Sequence, residues 1–193
     1  MILSELRKYI GMKTALLSPD TEALTAEHLP NHKRRDTDRL IKLYALFVSL
    51  AFFAAVPFAM LYTKESNFFG GVWEILTSPS KLVTDYFALG GLAATFFNAA
   101  VCGLLCNLIM YVSQPKANAT TLAGYLLVIA HCFYGLNFLN MWPPFFGVLI
   151  YCIVMKKPFR ENLHISFFST ALAPFISEFI FRYTIGSFSS AKP

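Results

Sequence analysis

The polar residues that could do chemistry lie inside or beside long apolar runs. The first group is Ser78-Pro79-Ser80-Lys81 with Asp85, directly ahead of a run that contains Gly90-Gly91. A hydroxyl followed by proline is a helix-start signal: the oxygen caps free N–H groups, and proline's missing donor is not needed at the first helical position. A helix begun near Pro79 carries Asp85 in its second turn and reaches the glycines about three turns in. Continued straight to Val112 it would be about 50 Å long, against a hydrocarbon core of ~30 Å. The glycines are the natural hinge. Two arrangements fit. One is a discontinuous helix whose unpaired N–H and C=O groups face a solute at mid-membrane. The other is an interfacial helix and then a normal span packed closely through Gly90, Gly91, Ala93 and Ala94.

A second pair, Glu178 and Arg182, is spaced to share one helix face near the end of the last apolar run. Charges at such depth are expensive and usually point inward. Glu178 is then a proton or cation site with Arg182 as partner, or Arg182 reaches the interface and Glu178 neutralises it. A third group is Asn98, Asn107, Asn137 and Asn140. An unpaired amide in an apolar run is costly, so Asn98 either lines a polar pathway or joins two helices. Cys102, Cys106, His131 and Cys132 form the last group, but no CxxC motif or acidic cluster accompanies them. No metal or cofactor is expected. No Walker loop, dinucleotide fingerprint, HExxH or Gly-x-Ser-x-Gly occurs, and no nucleophile is spaced with a base, so an enzyme is not expected.

The elements that must position these groups follow from hydropathy. The chain is 56% hydrophobic and only 14% charged, where soluble domains carry about 25% charged residues. Half of the lysines and arginines precede Leu43, and apolar runs follow. This is the signature of an all-α polytopic membrane protein. The net charge of +5 then reports topology and not nucleic acid. Residues 1–39 read as a polar cytoplasmic segment in which Ile2, Leu3, Leu6, Tyr9 and Ile10 recur at helical spacing, as a short interfacial amphipathic helix or a partly helical tail; residues 40–186 read as the transmembrane domain and 187–193 as a disordered tail. No secretory signal is visible, so the first run is expected to remain as a span.

The runs are Leu40 to Tyr62 with Pro57 near its end, Tyr86 to Val112, Thr121 to Leu139, Phe145 to Met155 after Pro143-Pro144, and His164 to Ile185. Val72 to Leu76 is a short apolar piece with Trp73 as an interfacial anchor. Phe145 to Met155 is near the minimum for a crossing and is either a span or one limb of a re-entrant hairpin. Five crossings place the basic N-terminal segment, the Lys116 loop and the Lys156-Lys157-Arg160 loop on one side, in agreement with the positive-inside rule. The N-terminus is then cytoplasmic and the C-terminus extracytoplasmic, in a multi-pass protein of the cell membrane.

Ile75-Leu76-Thr77-Ser78-Pro79-Ser80, Thr84-Asp85-Tyr86-Phe87 and Gly90-Gly91-Leu92-Ala93-Ala94-Thr95-Phe96-Phe97-Asn98-Ala99 carry a resemblance. Over Leu40 to Gly186 the chain resembles a bacterial family of uncharacterised polytopic membrane proteins, domain of unknown function 1576. The resemblance brings no activity with it. It implies a family of roughly twice this length, of which the chain corresponds to the N-terminal half. An odd number of crossings followed by a similar unit makes an inverted repeat, a common transporter plan. The short broken segment ahead of a long span is also similar to urea-channel-type repeats, a likeness of fold alone.

The functional expectation is a transporter or channel subunit for a small polar solute. Ser78, Ser80, Asp85, Gly90, Gly91, Asn98, Glu178 and Arg182 would line its pathway. Its partners would be the lipid bilayer and a second copy or a partner half. The alternative is a non-catalytic membrane scaffold acting through its N-terminal segment.

Overall fold

The computed structural model describes residues 31–64, 67–78, 84–113 and 115–179, with backbone alone for 31–34 and 177–179. The chain divides into two units, Met1–Arg39 and Leu40–Pro193. Every regular element among the described residues is helical. The helices are α1 (Asn31–Thr63), α2 (Phe68–Thr77), α3 (Tyr86–Ser113), α4 (Ala119–His131), α5 (Trp142–Val154) and α6 (Phe159–Ser169). A 3-10 turn (Thr170–Leu172) then joins α6 to α7 (Ala173–Phe179).

Two of these helices are long and apolar enough to cross a membrane, α1 from Arg35 and the whole of α3. In α1 the buried positions are Ile41, Ala45, Ser49, Val56 and Ala59, recurring every three, four or seven positions, and three of them are small (Ala45, Ser49 and Ala59). That spacing is one face of a helix, and small side chains let its backbone come close to its neighbours. The opposite face keeps Leu43, Phe47, Leu50, Phe58 and Leu61 exposed. Pro57 lies inside α1.

The length of the second apolar run is resolved by a break. Gly91 has φ 84 and ψ 174, outside helical space, so α3 is a single turn before Gly91 and a long helix after it. From Leu92 to Ser113 that helix rises about 33 Å, enough for one crossing. Only glycine adopts this backbone without a Cβ clash. The hinge expected at Gly90-Gly91 is therefore at Gly91. Thr95, fully buried, donates its hydroxyl to the Gly91 carbonyl at 2.7 Å and holds the break. Gly91→Ala is expected to lower stability by about 1–3 kcal/mol, the cost of holding a residue with a Cβ in that region. Detergent-titration unfolding measures it, and a loss near zero would mean that the break relaxes freely.

The helix start differs from the sequence expectation. Thr84 and Asp85 are not helical, and α3 begins at Tyr86. Asp85 is the cap itself: its carboxylate accepts from the Phe87 N–H at 2.9 Å and the Ala88 N–H at 3.3 Å. A carboxylate satisfies free N–H groups and favours the positive end of the helix, which a second-turn position would not allow. The expected start at Pro79 lies outside the described residues.

The third run also breaks earlier than its prolines suggest. α4 ends at His131, and residues 132–141 form an irregular turn before α5. Gly135, at φ 112, reverses the chain there. Pro143 and Pro144 instead sit in the first turn of α5, where their missing donors are not needed. At 13 residues each, α4 and α5 rise about 20 Å, short of a full crossing on their own. In the last run Pro174 stands at the start of α7, just after the 3-10 turn. Its missing N–H fits the change of helix type there.

Candidate functional site

The turn at residues 132–141 meets the start of α3, five residues before the Gly91 break, and the end of α2. The N–H of Tyr86, the first residue of α3, donates to the Phe133 carbonyl of the turn at 3.2 Å. At the end of α2, the Ile75 carbonyl accepts from the Asn137 Nδ2 at 3.0 Å. A helix leaves its first N–H groups and last carbonyls without intrahelical partners. Here the turn supplies them for two different helices. In hydrocarbon each such group left open costs several kcal/mol.

Asn137 is the centre of this arrangement and is 2% exposed. Its Nδ2 also donates to the Tyr86 hydroxyl at 3.1 Å. Its Oδ1 accepts from the Leu139 N–H at 2.9 Å and the Asn140 N–H at 3.0 Å. Two donors and two acceptor positions are the full capacity of an amide. Asn140 returns the contact, accepting from the Asn137 N–H at 2.8 Å and donating to the Gly135 carbonyl at 2.7 Å. The Asn-x-x-Asn spacing is the sequence signal for this reciprocal pair, since asparagine side chains mimic backbone turns.

Asn98 clamps the same turn from α3. Its two amide hydrogens go to the carbonyls of Cys132, at 3.1 Å, and Leu136, at 2.9 Å. Its Oδ1 meets only the Cys102 thiol, at 3.8 Å. Phe133 stacks on Phe87 at 5.4 Å and lies 5.7 Å from Phe52 of α1, so the turn is also held by rings.

Beneath this level α2 and α3 touch backbone to backbone. A Cβ on Gly71 would land on the Gly90 carbonyl oxygen, and one on Gly90 would stand 2.7 Å from the Gly71 carbonyl oxygen. Beside the crossing a cleft of about 180 Å³ opens between Val72, Ile75 and Leu76 of α2 and Ala94, Phe97, Asn98 and Val101 of α3. Phe138 of the turn also lines it, and among the described residues Asn98 is the one polar residue in this lining.

A second buried polar chain lies further along α3. Tyr125 of α4 donates its hydroxyl to the Ala45 carbonyl of α1 at 2.7 Å, and its oxygen lies 2.7 Å from the Ser49 hydroxyl. Asn107 donates to the Ser49 oxygen at 2.8 Å and to the Gly103 carbonyl at 2.9 Å. A Cβ on Gly103 would stand 2.6 Å from the Ser49 oxygen, so the glycine makes the room. Three helices are thus tied by hydroxyls and an amide. Sequence reasoning singled out Asn107 and missed Ser49 and Tyr125, which look ordinary in isolation. Tyr125→Phe and Ser49→Ala are each expected to cost about 1 kcal/mol, with a coupling of about 0.5–1 kcal/mol in a double-mutant cycle. Full additivity would show that the two hydroxyls do not act together.

The expected pathway residues are therefore distributed as follows. Gly90 stands at the crossing with Gly71, Gly91 is the break next to it, and Asn98, about two turns further along α3, borders the cleft. Ser78 ends α2, its N–H donating to the Glu74 carbonyl at 2.9 Å. Asp85 caps α3 with its side chain exposed. Ser80 and Arg182 lie outside the described residues, and Glu178 is described by its backbone alone, in α7. Cys102, Cys106 and Cys132 are free and buried in the core. Among the described residues no group of three or more His, Cys, Asp or Glu is placed to hold a metal.

A family model described as "Protein of unknown function (DUF1576)" matches residues 64–191. The chain belongs to this family. The match takes in both interruptions, the turn and the cleft, and begins just after α1. It starts later than Leu40, where the resemblance in the sequence was drawn. No curated protein and no solved structure matches the chain.

Proposed function

We propose that this DUF1576 member is a multi-pass membrane protein that serves as a transporter or channel subunit for a small polar solute. The observation that carries the reading is the break of the second long helix at Gly91 together with an irregular turn at residues 132–141 that caps the start of α3 and the end of α2. Irregular backbone is tolerated at membrane depth only where protein buries it or a cavity borders it, and transporters build their sites from such pairs. The exposed apolar face of α1 supports a hydrocarbon surround, since in water so large a surface would need a partner. The short α4 and α5 fit limbs that enter the bilayer and turn. In this reading the N-terminus is cytoplasmic, and a second copy or a partner half completes the pathway.

The second reading is a membrane scaffold. It is favoured by the saturation of the amides, because Asn98 and Asn137 give every N–H they have to backbone or to Tyr86. Flux separates the two. Purified protein in liposomes is expected to move at least one member of a broad panel of small polar solutes, and Gly91→Ala is expected to slow that movement. Impermeable liposomes across the whole panel, with correctly inserted protein, would leave the scaffold reading in its place.

A further inference from the structure

We propose that the cleft between α2 and α3 is a binding site for one phospholipid acyl chain, which wedges beside the Gly71–Gly90 crossing. The proposal rests on the membrane reading above and not on transport.

The chemistry of the walls leads to this occupant. Among the described residues Asn98 is the sole polar one of the lining, and both of its side-chain N–H groups are bonded to the Cys132 and Leu136 carbonyls. A bound water requires two to four polar partners. The cleft offers a single amide oxygen, so water is not held there. A polar or charged solute would lose its hydration without replacement. The volume of about 180 Å³ exceeds the ~150 Å³ of an apolar cavity that takes benzene. It therefore has room for the end of a hydrocarbon chain.

The mouth indicates where that chain comes from. Val72, Leu76, Phe97, Val101 and Phe138 are partly exposed around the opening, and among the described residues no charged one joins them. A mouth of this kind on a bilayer-embedded helix opens to lipid tails and not to an aqueous phase. An occupant would touch α2, α3 and the turn at once. It would then stiffen a crossing whose direct contact is glycine on glycine, with little side-chain area of its own.

The test uses the full chain in nanodiscs of phosphatidylcholine carrying a diazirine near the methyl end of one acyl chain. After photolysis, peptide mass spectrometry locates the adducts. Adducts at Val72, Leu76, Val101 or Phe138 are expected to exceed those on the open α1 face at Leu43, Phe47 and Leu50, which reports bulk lipid. Val101→Phe and Val72→Phe each fill the cleft from a different helix. Either is expected to cut labelling in the cleft about tenfold, equivalent to ~1.4 kcal/mol of binding, with α1 labelling unchanged. Cleft labelling equal to that of α1, or insensitive to both fillings, would overturn the proposal. Absence of adducts on α1 as well would instead remove the membrane reading beneath it.

Discussion

Asn98→Asp is expected to loosen the turn between α4 and α5 more than any other single-atom change in the described residues. The two side chains have nearly the same shape. The carboxylate, however, has no hydrogens for the Cys132 and Leu136 carbonyls, which lie 3.1 and 2.9 Å away. It would instead place one oxygen against two others, in a site 5% exposed. Asn98→Ala removes the same donors without adding the repulsion. A buried carbonyl left open costs about 1–3 kcal/mol, so the alanine variant is expected to lose roughly 2–4 kcal/mol in all. Interhelical hydrogen bonds in membranes often measure lower, near 0.6 kcal/mol, because partners are exchanged on unfolding or relaxation. The larger figure applies here because the turn is irregular, and its carbonyls have no helical neighbour to accept from. Equilibrium unfolding in mixed micelles gives the energies, and hydrogen exchange at residues 132–141 gives the location. A loss under about 0.5 kcal/mol for the aspartate variant would show that Asn98 does not clamp the turn.

The second large effect is expected at Gly71. An alanine there must move its own helix, because the obstacle is the Gly90 backbone carbonyl and not a side chain that can rotate away. Displacing α2 also strains the Ile75–Asn137 hydrogen bond and opens the cleft. We expect Gly71→Ala to cost about 1–3 kcal/mol, as overpacking generally does, and Gly71→Leu to detach α2. Gly147 is the internal control. It lies within α5, and a Cβ there would meet nothing within 4 Å. Gly147→Ala is expected to be neutral or to gain about 0.5–1 kcal/mol from helix propensity alone. Thermal unfolding of the two variants in one detergent makes the comparison, and equal midpoints would remove the claim that α2 and α3 meet backbone to backbone.

Much of the helical architecture was legible beforehand, and the particular residues explain why. Apolar length marks α1 and α3 as the long helices, since hydropathy is a property of the residues themselves. The excess length of the Tyr86–Val112 run required a break, and adjacent glycines were the cheapest place for it. Pro143 and Pro144 announced that a helix would not pass through them. They could not say whether the chain breaks at the prolines or before them. That depended on Gly135 and on Asn137 and Asn140 bonding one another's backbone, which is a matter of local geometry.

The roles of the polar residues were less legible. Asp85 reads as a second-turn residue of a helix begun near Pro79, and its role as a cap depends on where helical hydrogen bonds begin. Asn98 reads equally well as pathway or clasp. Its amide points at two carbonyls that lie 34 and 38 residues away in sequence. Ser49 and Tyr125 gave no signal, because a lone hydroxyl acquires meaning only from the partner opposite it. By itself the sequence determined an all-helical chain of this family with a hinge at the paired glycines; of the five apolar runs read as crossings, two correspond, among the described residues, to helices long and apolar enough to cross a membrane. Only the tertiary structure decided that the turn 132–141 caps the start of α3 and the end of α2, and that the amides are bound to backbone. The physical reason is range: hydropathy and backbone freedom act residue by residue, whereas a hydrogen bond between distant segments exists only once packing has brought them together.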